Sequence, residues 1–372
     1  MKRTLPTHSA RLERFIGKDQ AEAISKAMLS WYGPPIGLAG VPGNVWVCRG
    51  GDFRGRIKAG EFCHALDFAI GRGKRILRNT ARLQDAKLHM GFSSLSDLIA
   101  EATGGKRQEL AFYKTGATGV VAVTNSLWGL GAQPPAGANA SAAPGGDVPT
   151  SATTGALIFV NATGGDTLHF ITGNPTASVI ANTLLLYDRL FQVNKTMNST
   201  ATEAVTGVPS RYQNTTAGAA DYIGGNFLFV EVGGTALAAT AHNWTVCTYL
   251  DQANAASTLP SLTGNASAIV RRLDHPVGQW FAPLESGDTG VKALTQMQCS
   301  AAVATGVINF VIGHPLAFMP CPVANMVCVL DGINTAFNLV RIFDNAAMGF
   351  LEITKPATGA TNYSGTITVV SG

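Results

Sequence analysis

The stretch LHFITGNPTASVIANTLLLYDRL, from Leu168 to Leu190, decides the predicted fold, and a related stretch, INFVIGHPLAFMPCPVANMVCVLDGI, follows from Ile308 to Ile333. Both contain Phe-x-x-Gly-x-Pro, at an offset of 140 residues, and then Ala-Asn with an Asp six residues later. Apolar and polar residues alternate before the glycine, which is typical of a strand. The proline fixes φ and has no N–H with which to donate a hydrogen bond to a neighbouring strand. Each copy therefore predicts a strand, a Gly-x-Pro corner and a second strand.

Two such copies predict a duplicated β-sandwich. Beyond residue 155, short apolar and β-branched runs separated by Gly, Asn and Pro turns favour a sandwich or jelly roll over a parallel sheet. The expected strands are 156–161, 167–172, 178–187, 226–232, 243–250, 267–271, 305–312, 325–330, 336–343, 349–353 and 366–370. We therefore predict a mainly β fold, a tandem β-sandwich of jelly-roll type with a small α+β N-terminal region.

Composition and turn signals divide the chain into four segments. Within the first, Ser94 and Asp97 have the spacing of a helix N-cap, and Gly104 and Gly105 would end that helix. The predicted segments are a basic α+β region with an extended arm over 1–114, a strand and a Gly/Ala/Pro-rich linker or long loop over 115–155, a first β-sandwich unit over 156–260 and a second over 261–372.

The chain carries unusually little charge. Asp, Glu, Lys and Arg make up 13% of its residues, against roughly 25% in ordinary soluble domains. Isolated domains keep more charge on their surface, so this composition suits a subunit that neighbouring chains cover. A monomer with a Thr, Asn and Ser surface is the alternative.

Charge is also segregated along the chain. Residues 1–114 hold 19 of the 27 Lys and Arg and 10 of the 23 Asp and Glu, a net charge of +9, which leaves −5 for the remainder. No Lys or Arg occurs between Lys114 and Arg189, unlike a surface that follows a nucleic-acid backbone. Any function that needs positive charge is therefore expected in the N-terminal third.

Local motifs predict no catalytic, cofactor or metal site. The Gly73-Lys74 and Gly105-Lys106 pairs lack the earlier glycine and the following Ser or Thr of a phosphate-binding loop. Glu61, His64 and Asp67 lie close together but lack the spacing of a metalloprotease helix, which favours a local structural cluster. The sequence also lacks a G-x-S-x-G elbow.

Polar residues of the repeat likewise predict structural roles. His169 and His314 do not occupy equivalent positions, so a duplicated catalytic pair is not expected. Asp188 and Asp331 are equivalent and are expected to accept hydrogen bonds at strand ends rather than act as an acid and base. Six aromatic residues suit a β core better than a sugar-binding platform: Trp128, Trp244, Trp280, Phe281, Phe318 and Phe350.

Several runs resemble those of virion structural proteins of tailed bacteriophages. They are Phe92–Ile99, Asn182–Phe191, Gly207–Tyr212, Glu285–Gly290 and Asn309–Leu316. The resemblance spans most of residues 90–355 and implies a capsid-associated subunit, or another particle subunit, present in many copies. It implies no catalytic residues.

We therefore expect a non-enzymatic virion structural protein without cofactors, which binds the phage capsid as a decoration or cement subunit and reinforces capsomer contacts. Its expected partners are the major capsid protein or other virion proteins, and copies of itself, as a trimer. No signal peptide or membrane span is expected, because apolar runs of the required length are missing from the sequence; the expected location is the virion, assembled in the host cytoplasm. The alternatives are a tail or receptor-binding β-sandwich that binds glycans, and an enzyme acting on polysaccharide.

The basic N-terminal third is the expected docking element. Arginine can bind carboxylates with two parallel hydrogen bonds, and aromatic residues supply apolar contact. Nucleic acid is the alternative partner of the same basic face, and a solvated helix surface is the structural alternative. The expected docking residues are Arg11, Arg14, Phe15, Trp31, Arg72, Lys74, Arg75, Arg78 and Arg82.

Overall fold

The structure is a computed structural model of the 372-residue chain. It describes residues 44–49, 53–58, 92, 94–116, 118–119, 123–179, 182–213, 225–335, 339–353 and 359–372. The chain divides into two compact units, Met1–Leu88 and His89–Gly372. The described residues of the first unit form an antiparallel hairpin of β1 (Asn44–Arg49) and β2 (Phe53–Lys58).

The second unit is mainly β, as the sequence predicts. Its described helices are α1 (Leu95–Glu101), which continues into a π turn over Ala102–Lys106, and the single-turn α2 (Gly332–Thr335). Its strands are β3 (Arg107–Lys114), β4 (Thr118–Gly119), β5 (Asn125–Ser126), β6 (Ala132–Gln133), β7 (Leu168–Ala177), β8 (Asn182–Thr196), β9 (Glu203–Ala204), β10 (Phe227–Val232), β11 (Asn243–Asp251), β12 (Ala256–Thr258), β13 (Leu262–Thr263), β14 (Val291–Cys299), β15 (Val307–Cys321), β16 (Leu330–Asp331), β17 (Arg341–Ile342), β18 (Met348–Ile353), β19 (Gly359–Ala360) and β20 (Tyr363–Ser371).

The central sheet has the strand order β10-β15-β8-β18-β5, and its longest strands, β8 and β15, pair antiparallel. Both faces of this sheet are buried. Leu184 and Leu186 of β8 face the larger apolar core, whereas Leu185 and Tyr187 face a second, smaller core. Burial on both faces explains why this part of β8 is apolar throughout instead of alternating with polar residues.

Two further sheets pack against the central sheet. The second sheet has the order β16-β7-β20-β3-β6, with β17 also on β7; the third has the order β12-β11-β14-β9, with β13 on β11. The rings of Phe112 and Phe350 join the second sheet to the central one at 4.5 Å, and those of Trp244 and Phe310 join the third at 4.7 Å. One apolar core therefore links all three sheets. The short strands β4 and β19 pair separately.

The two Gly-x-Pro triplets lie inside continuous strands, so the predicted corners are wrong. β7 runs through Gly173 and Pro175, and β15 runs through Gly313 and Pro315. Gly173 is a place of close approach, because a Cβ there would lie 2.5 Å from the sulfur of Met319. Pro315 is tolerated because it lies beyond the end of β10, where β15 is paired with β8.

The repeat is less complete in the structure than in the sequence. Residues 325–330, the predicted second strand of the second copy, form a loop until β16 begins at Leu330, and residues 156–161 and 267–271 also do not form strands. The predicted units over 156–260 and 261–372 contribute strands to each of the three larger sheets.

The loop rich in Gly, Ala and Pro packs against the central sheet. Ala142 forms an isolated bridge with Asn194, and Asp147 forms another with Gln192, both on β8. Within residues 131–155, the structure assigns one short strand, β6. The stretch is therefore a long surface loop held against β8.

The predicted helix start is confirmed. Ser94 is the N-cap of α1, and its hydroxyl accepts a hydrogen bond from the Asp97 N–H at 3.1 Å. The following π turn ends where Gly105 adopts a φ of 95°, in the left-handed region that favours glycine.

Candidate functional site

The predicted docking residues, from Arg11 to Arg82, lie outside the residues that the structure describes. Their role as the anchor of the protein stays a prediction. The local cluster of Glu61, His64 and Asp67 also lies outside the described residues. The candidate sites below belong to the second unit.

A fully buried ion pair lies within the central sheet. Arg189 Nη2 donates to Glu231 Oε1 at 2.5 Å, and Asn309 Nδ2 donates to the same oxygen at 3.1 Å. Arg189 also donates to the Tyr187 hydroxyl at 3.1 Å and lies 4.8 Å from the ring centre of Trp128. Burial opposes ionisation of Glu231, but the Arg189 charge and the hydrogen bonds hold its pKa below the ordinary value. The Glu231 charge is thus already neutralised within the protein.

The two equivalent carboxylates of the repeat have different structural roles. Asp188 is fully buried and accepts hydrogen bonds from Arg211 Nε at 2.7 Å and Nη2 at 2.8 Å, and from the Ala347 N–H at 2.8 Å. Asp331 is half-buried and accepts from the Ile333 N–H at 2.9 Å. Asp188 therefore lies within a strand and belongs to an ion pair, not to the predicted strand-end turn.

The two histidines near the repeated triplets are buried. His169 Nε2 lies 2.7 Å from the Thr167 hydroxyl. His314 Nδ1 lies 2.8 Å from the Asn226 side-chain oxygen, and its ring stacks on Tyr212 with centroids 3.9 Å apart. Burial lowers the pKa of both, that of His314 to about 3. Both rings are therefore neutral at pH 7 and have structural hydrogen-bond partners.

A buried His–Asp pair, which the sequence did not predict, lies in the third sheet and the turn near it. Asp274 accepts from His242 Nε2 at 2.9 Å and from Trp244 Nε1 at 2.8 Å. The other ring nitrogen of His242 lies 3.0 Å from the Thr240 carbonyl, which is where a catalytic triad would need a serine or cysteine. The pair therefore stabilises the fold rather than activating a nucleophile.

A cleft of about 340 Å³ borders the buried Arg189–Glu231 pair. The segments 136–139 and 232–234 line it, together with Trp128, Arg271 and Asn309. Glycines allow these lining segments to approach one another closely, because a Cβ at Gly137 would overlap Trp128 and one at Gly234 would overlap Asn139. Neither Gly137 nor Gly234 lies in the left-handed region of φ, so the close contact, and not the backbone conformation, requires glycine at these positions.

Arg271 is the most distinctive residue of this cleft. Its φ of 80° lies in the left-handed region, and hydrogen bonds of 2.8 Å from its N–H to the Val232 carbonyl and from the Ser126 N–H to its own carbonyl hold it there. Its Nε is buried without a hydrogen-bond partner among the described residues, and burial lowers its pKa. A strained, partly buried cation beside a cavity is a marker of a binding site.

A second candidate surface is the apolar loop over residues 322–329, which runs along the edge of the second sheet. The Asn325 N–H donates to the Ala177 carbonyl at 2.7 Å, which fixes the loop to the end of β7. Its exposed side chains are Val323, Met326, Val327 and Val329, between 48% and 64% exposed. Residues 316–330 contain no charged side chain. A run of exposed apolar residues of this kind marks an interaction surface.

The aromatic residues divide between core and surface. Trp128, Trp244 and Phe350 are buried, as expected of core residues. Trp280 and Phe281 pack on the smaller core, while Phe318 is 44% exposed with its ring 6.4 Å from that of Trp280. Cys247, Cys299 and Cys321 are buried free thiols, and Cys328 is a partly buried one.

Comparison of the chain with protein-family models, with curated proteins and with solved structures finds no match. In the part of the chain that the structure describes, no helix is long and apolar enough to cross a membrane. In the same part, no group of three or more His, Cys, Asp or Glu side chains is arranged to hold a metal ion.

Proposed function

We propose that the chain is a non-enzymatic structural subunit of a tailed-bacteriophage virion, which binds the capsid as a decoration or cement subunit. The observation that carries this proposal is the apolar loop over residues 322–329, which exposes Val323, Met326, Val327 and Val329 on a body with little charge. Covering uncharged side chains with a neighbouring protein gains apolar burial and requires little desolvation of charge. The loop therefore suits a permanent contact inside a particle.

The mechanism of reinforcement is mass action. A subunit that binds assembled capsomers, and not free ones, stabilises the shell by its binding free energy at every occupied site. We propose that the apolar loop contacts either the capsid protein or a neighbouring copy of the chain in a closed trimer. We also propose that the central and second sheets form a jelly-roll-like sandwich, since they share an apolar core.

The experiment is to bind the purified chain to phage heads that lack it and to measure occupancy by co-sedimentation. Val327→Asp places a charge on the apolar loop and should reduce occupancy roughly tenfold or more, as expected when an apolar contact receives an unpaired charge. Val277→Asp is the matched control, because Val277 is 66% exposed and belongs to a different turn. Equal occupancy of the loop variant and the wild type would refute the role of the loop.

The second candidate function is a tail or receptor-binding β-protein that binds a glycan. The cleft beside Arg271 is the observation that favours it, because the cleft is concave, partly polar and lined by an arginine whose buried Nε lacks a hydrogen-bond partner among the described residues. Location distinguishes the two candidates. A decoration subunit covers the head, whereas a receptor-binding protein is found at the tail.

A further inference from the structure

We propose that the cleft beside Arg271 binds an acidic sugar, a hydroxylated ring that carries one carboxylate, and that Arg271 is the residue that binds the carboxylate. This ligand site does not depend on the capsid-binding role proposed above, and it specifies the ligand of the glycan-binding candidate, on which it rests. It rests on the geometry of the cleft and on the charges that line it.

The charges around the cleft favour a ligand with a single negative charge. Glu231 accepts hydrogen bonds from Arg189 and Asn309, and its charge also acts on Arg271, so this carboxylate needs no cation from a ligand. Arg271 lines the same cleft, and the ion pairs found among the described residues do not include it. A carboxylate that accepts two parallel hydrogen bonds from its guanidinium would compensate this partly buried charge.

The position of Arg271 makes it suitable as a fixed binding group. Backbone hydrogen bonds to Val232 and Ser126 hold its left-handed conformation. Its Nε lies against the position that a Cβ of Gly129 would occupy, at 3.3 Å, so a larger residue there would crowd the guanidinium. The protein therefore holds the backbone of Arg271 in an unfavourable left-handed conformation and leaves space beside its side chain. Binding of a ligand at this position would explain both features.

The size and walls of the cleft favour a sugar over a simple ion. Its volume of about 340 Å³ lies at the lower end of the roughly 300–1,000 Å³ of small-molecule sites, which is more than a simple ion needs and enough for a sugar ring. The exposed amide of Asn139 at the rim offers both donors and an acceptor to hydroxyl groups. Trp128 is 1% exposed and its ring already contacts Arg189, so a sugar would be held by charge and hydrogen bonds and not by stacking.

The experiment is a titration of the full-length chain with glucuronate and, separately, with glucose, followed by isothermal calorimetry or by ligand-observed NMR. The two sugars differ in the carboxylate, so glucuronate should bind at least roughly tenfold more tightly, the usual effect of a charge-assisted hydrogen bond. Arg271→Gln should remove that advantage. Arg272→Gln is the matched control, since Arg272 is the adjacent, half-buried arginine, also has an unpartnered Nε, and does not line the cleft.

Several results would overturn the proposal: no glucuronate binding by the wild type, equal affinity for glucose and glucuronate, or unchanged glucuronate binding by the Arg271→Gln variant. Inorganic phosphate is a third probe, and Arg271-dependent binding of phosphate in place of glucuronate would also overturn the sugar assignment. Equal melting temperatures of both variants and the wild type would show that loss of binding is not loss of folding. Because no particle is present in the titration, its failure does not bear on capsid binding.

Discussion

His275 should make the folded protein sensitive to acid. The side chain is buried, and its Nε2 accepts a hydrogen bond from the Val230 N–H at 2.8 Å, so the ring must be neutral at that nitrogen. Burial lowers the pKa of His275 to about 4, although the nearby charge of Asp274 acts in the opposite direction. In the unfolded chain the pKa is about 6.5.

The sign and magnitude follow from these two pKa values. Between pH 6.5 and 4 the unfolded state binds a proton that the folded state excludes, so the free energy of unfolding falls as pH falls, by up to about 1.4 kcal/mol per pH unit. Between pH 7 and 4.5 the loss from His275 is roughly 2 kcal/mol. His314, with its pKa lowered by burial to about 3, contributes a loss of the same sign.

The assay is urea denaturation followed by tryptophan fluorescence at several pH values, for the wild type and for His275→Gln. Glutamine does not titrate, and its side-chain oxygen can accept the hydrogen bond from Val230. The wild type should lose roughly 2 kcal/mol relative to this variant between pH 7 and 4.5. If the difference in free energy of unfolding between the wild type and His275→Gln stays constant from pH 7 to 4.5, the inference that His275 is buried in its neutral form is refuted.

His242→Gln is a control of opposite sign. Burial opposes the charge of His242, but the hydrogen bond and charge of Asp274 raise its pKa above the ordinary value. The stabilisation from a raised pKa is fully present below about pH 6.5 and is lost as pH rises through the folded-state value. The wild type should therefore gain stability relative to this variant as pH falls.

Three further predictions concern packing and capping. Arg211→Met leaves the buried Asp188 carboxylate without its cation and should lower the free energy of unfolding by roughly 3–5 kcal/mol; Asp188→Asn in the same chain should recover part of this, and no recovery would argue against the pair. Phe350→Ala removes a fully buried ring that contacts Phe112 and should cost roughly 3–5 kcal/mol in urea denaturation, whereas a cost below about 1 kcal/mol would contradict the packing. Ser94→Ala removes the cap of α1, worth about 1 kcal/mol, and should speed amide hydrogen exchange within α1 but not in β8.

The sequence predicted those features that depend on neighbouring residues. The capping pair Ser94 and Asp97 correctly located α1, because that hydrogen bond spans three residues. The strands beginning near Phe227 and Asn243 were also predicted within one residue at each end, since their apolar patterns are bounded by clear turns. The mainly β class followed from many such local patterns.

Other strands were not predicted from the sequence. β14 was not predicted because Lys292 and two glutamines interrupt its apolar pattern, and its pairing with β11 is what stabilises it. β3 was also missed, although Leu110 and Phe112 alternate with outward residues and gave a usable signal. The Gly-x-Pro triplets suggested corners because proline cannot donate a hydrogen bond to a neighbouring strand. The sequence around a proline does not show whether a strand is paired on that side, and where none is paired the proline can stay within a strand.

The cleft could not be predicted from sequence. Its ion pair joins Arg189 to Glu231, 42 residues apart, and its glycine walls come from two distant loops. One signal was available, since Asp188 and Arg189 interrupt the apolar middle of β8 and charged side chains inside a buried strand require partners. The left-handed conformation of Arg271 had no signal, because arginine carries no preference for it.

The central claim, that this chain is a structural subunit of the virion, is tested most directly by electron cryo-microscopy of intact particles. The predicted result is ordered density for the three-sheet body at symmetry-related positions on the outside of the head, in many copies, with residues 322–329 covered by a neighbouring protein. Density confined to the tail would contradict decoration of the capsid and favour the receptor-binding alternative. Absence of the chain from purified particles would contradict the structural role altogether.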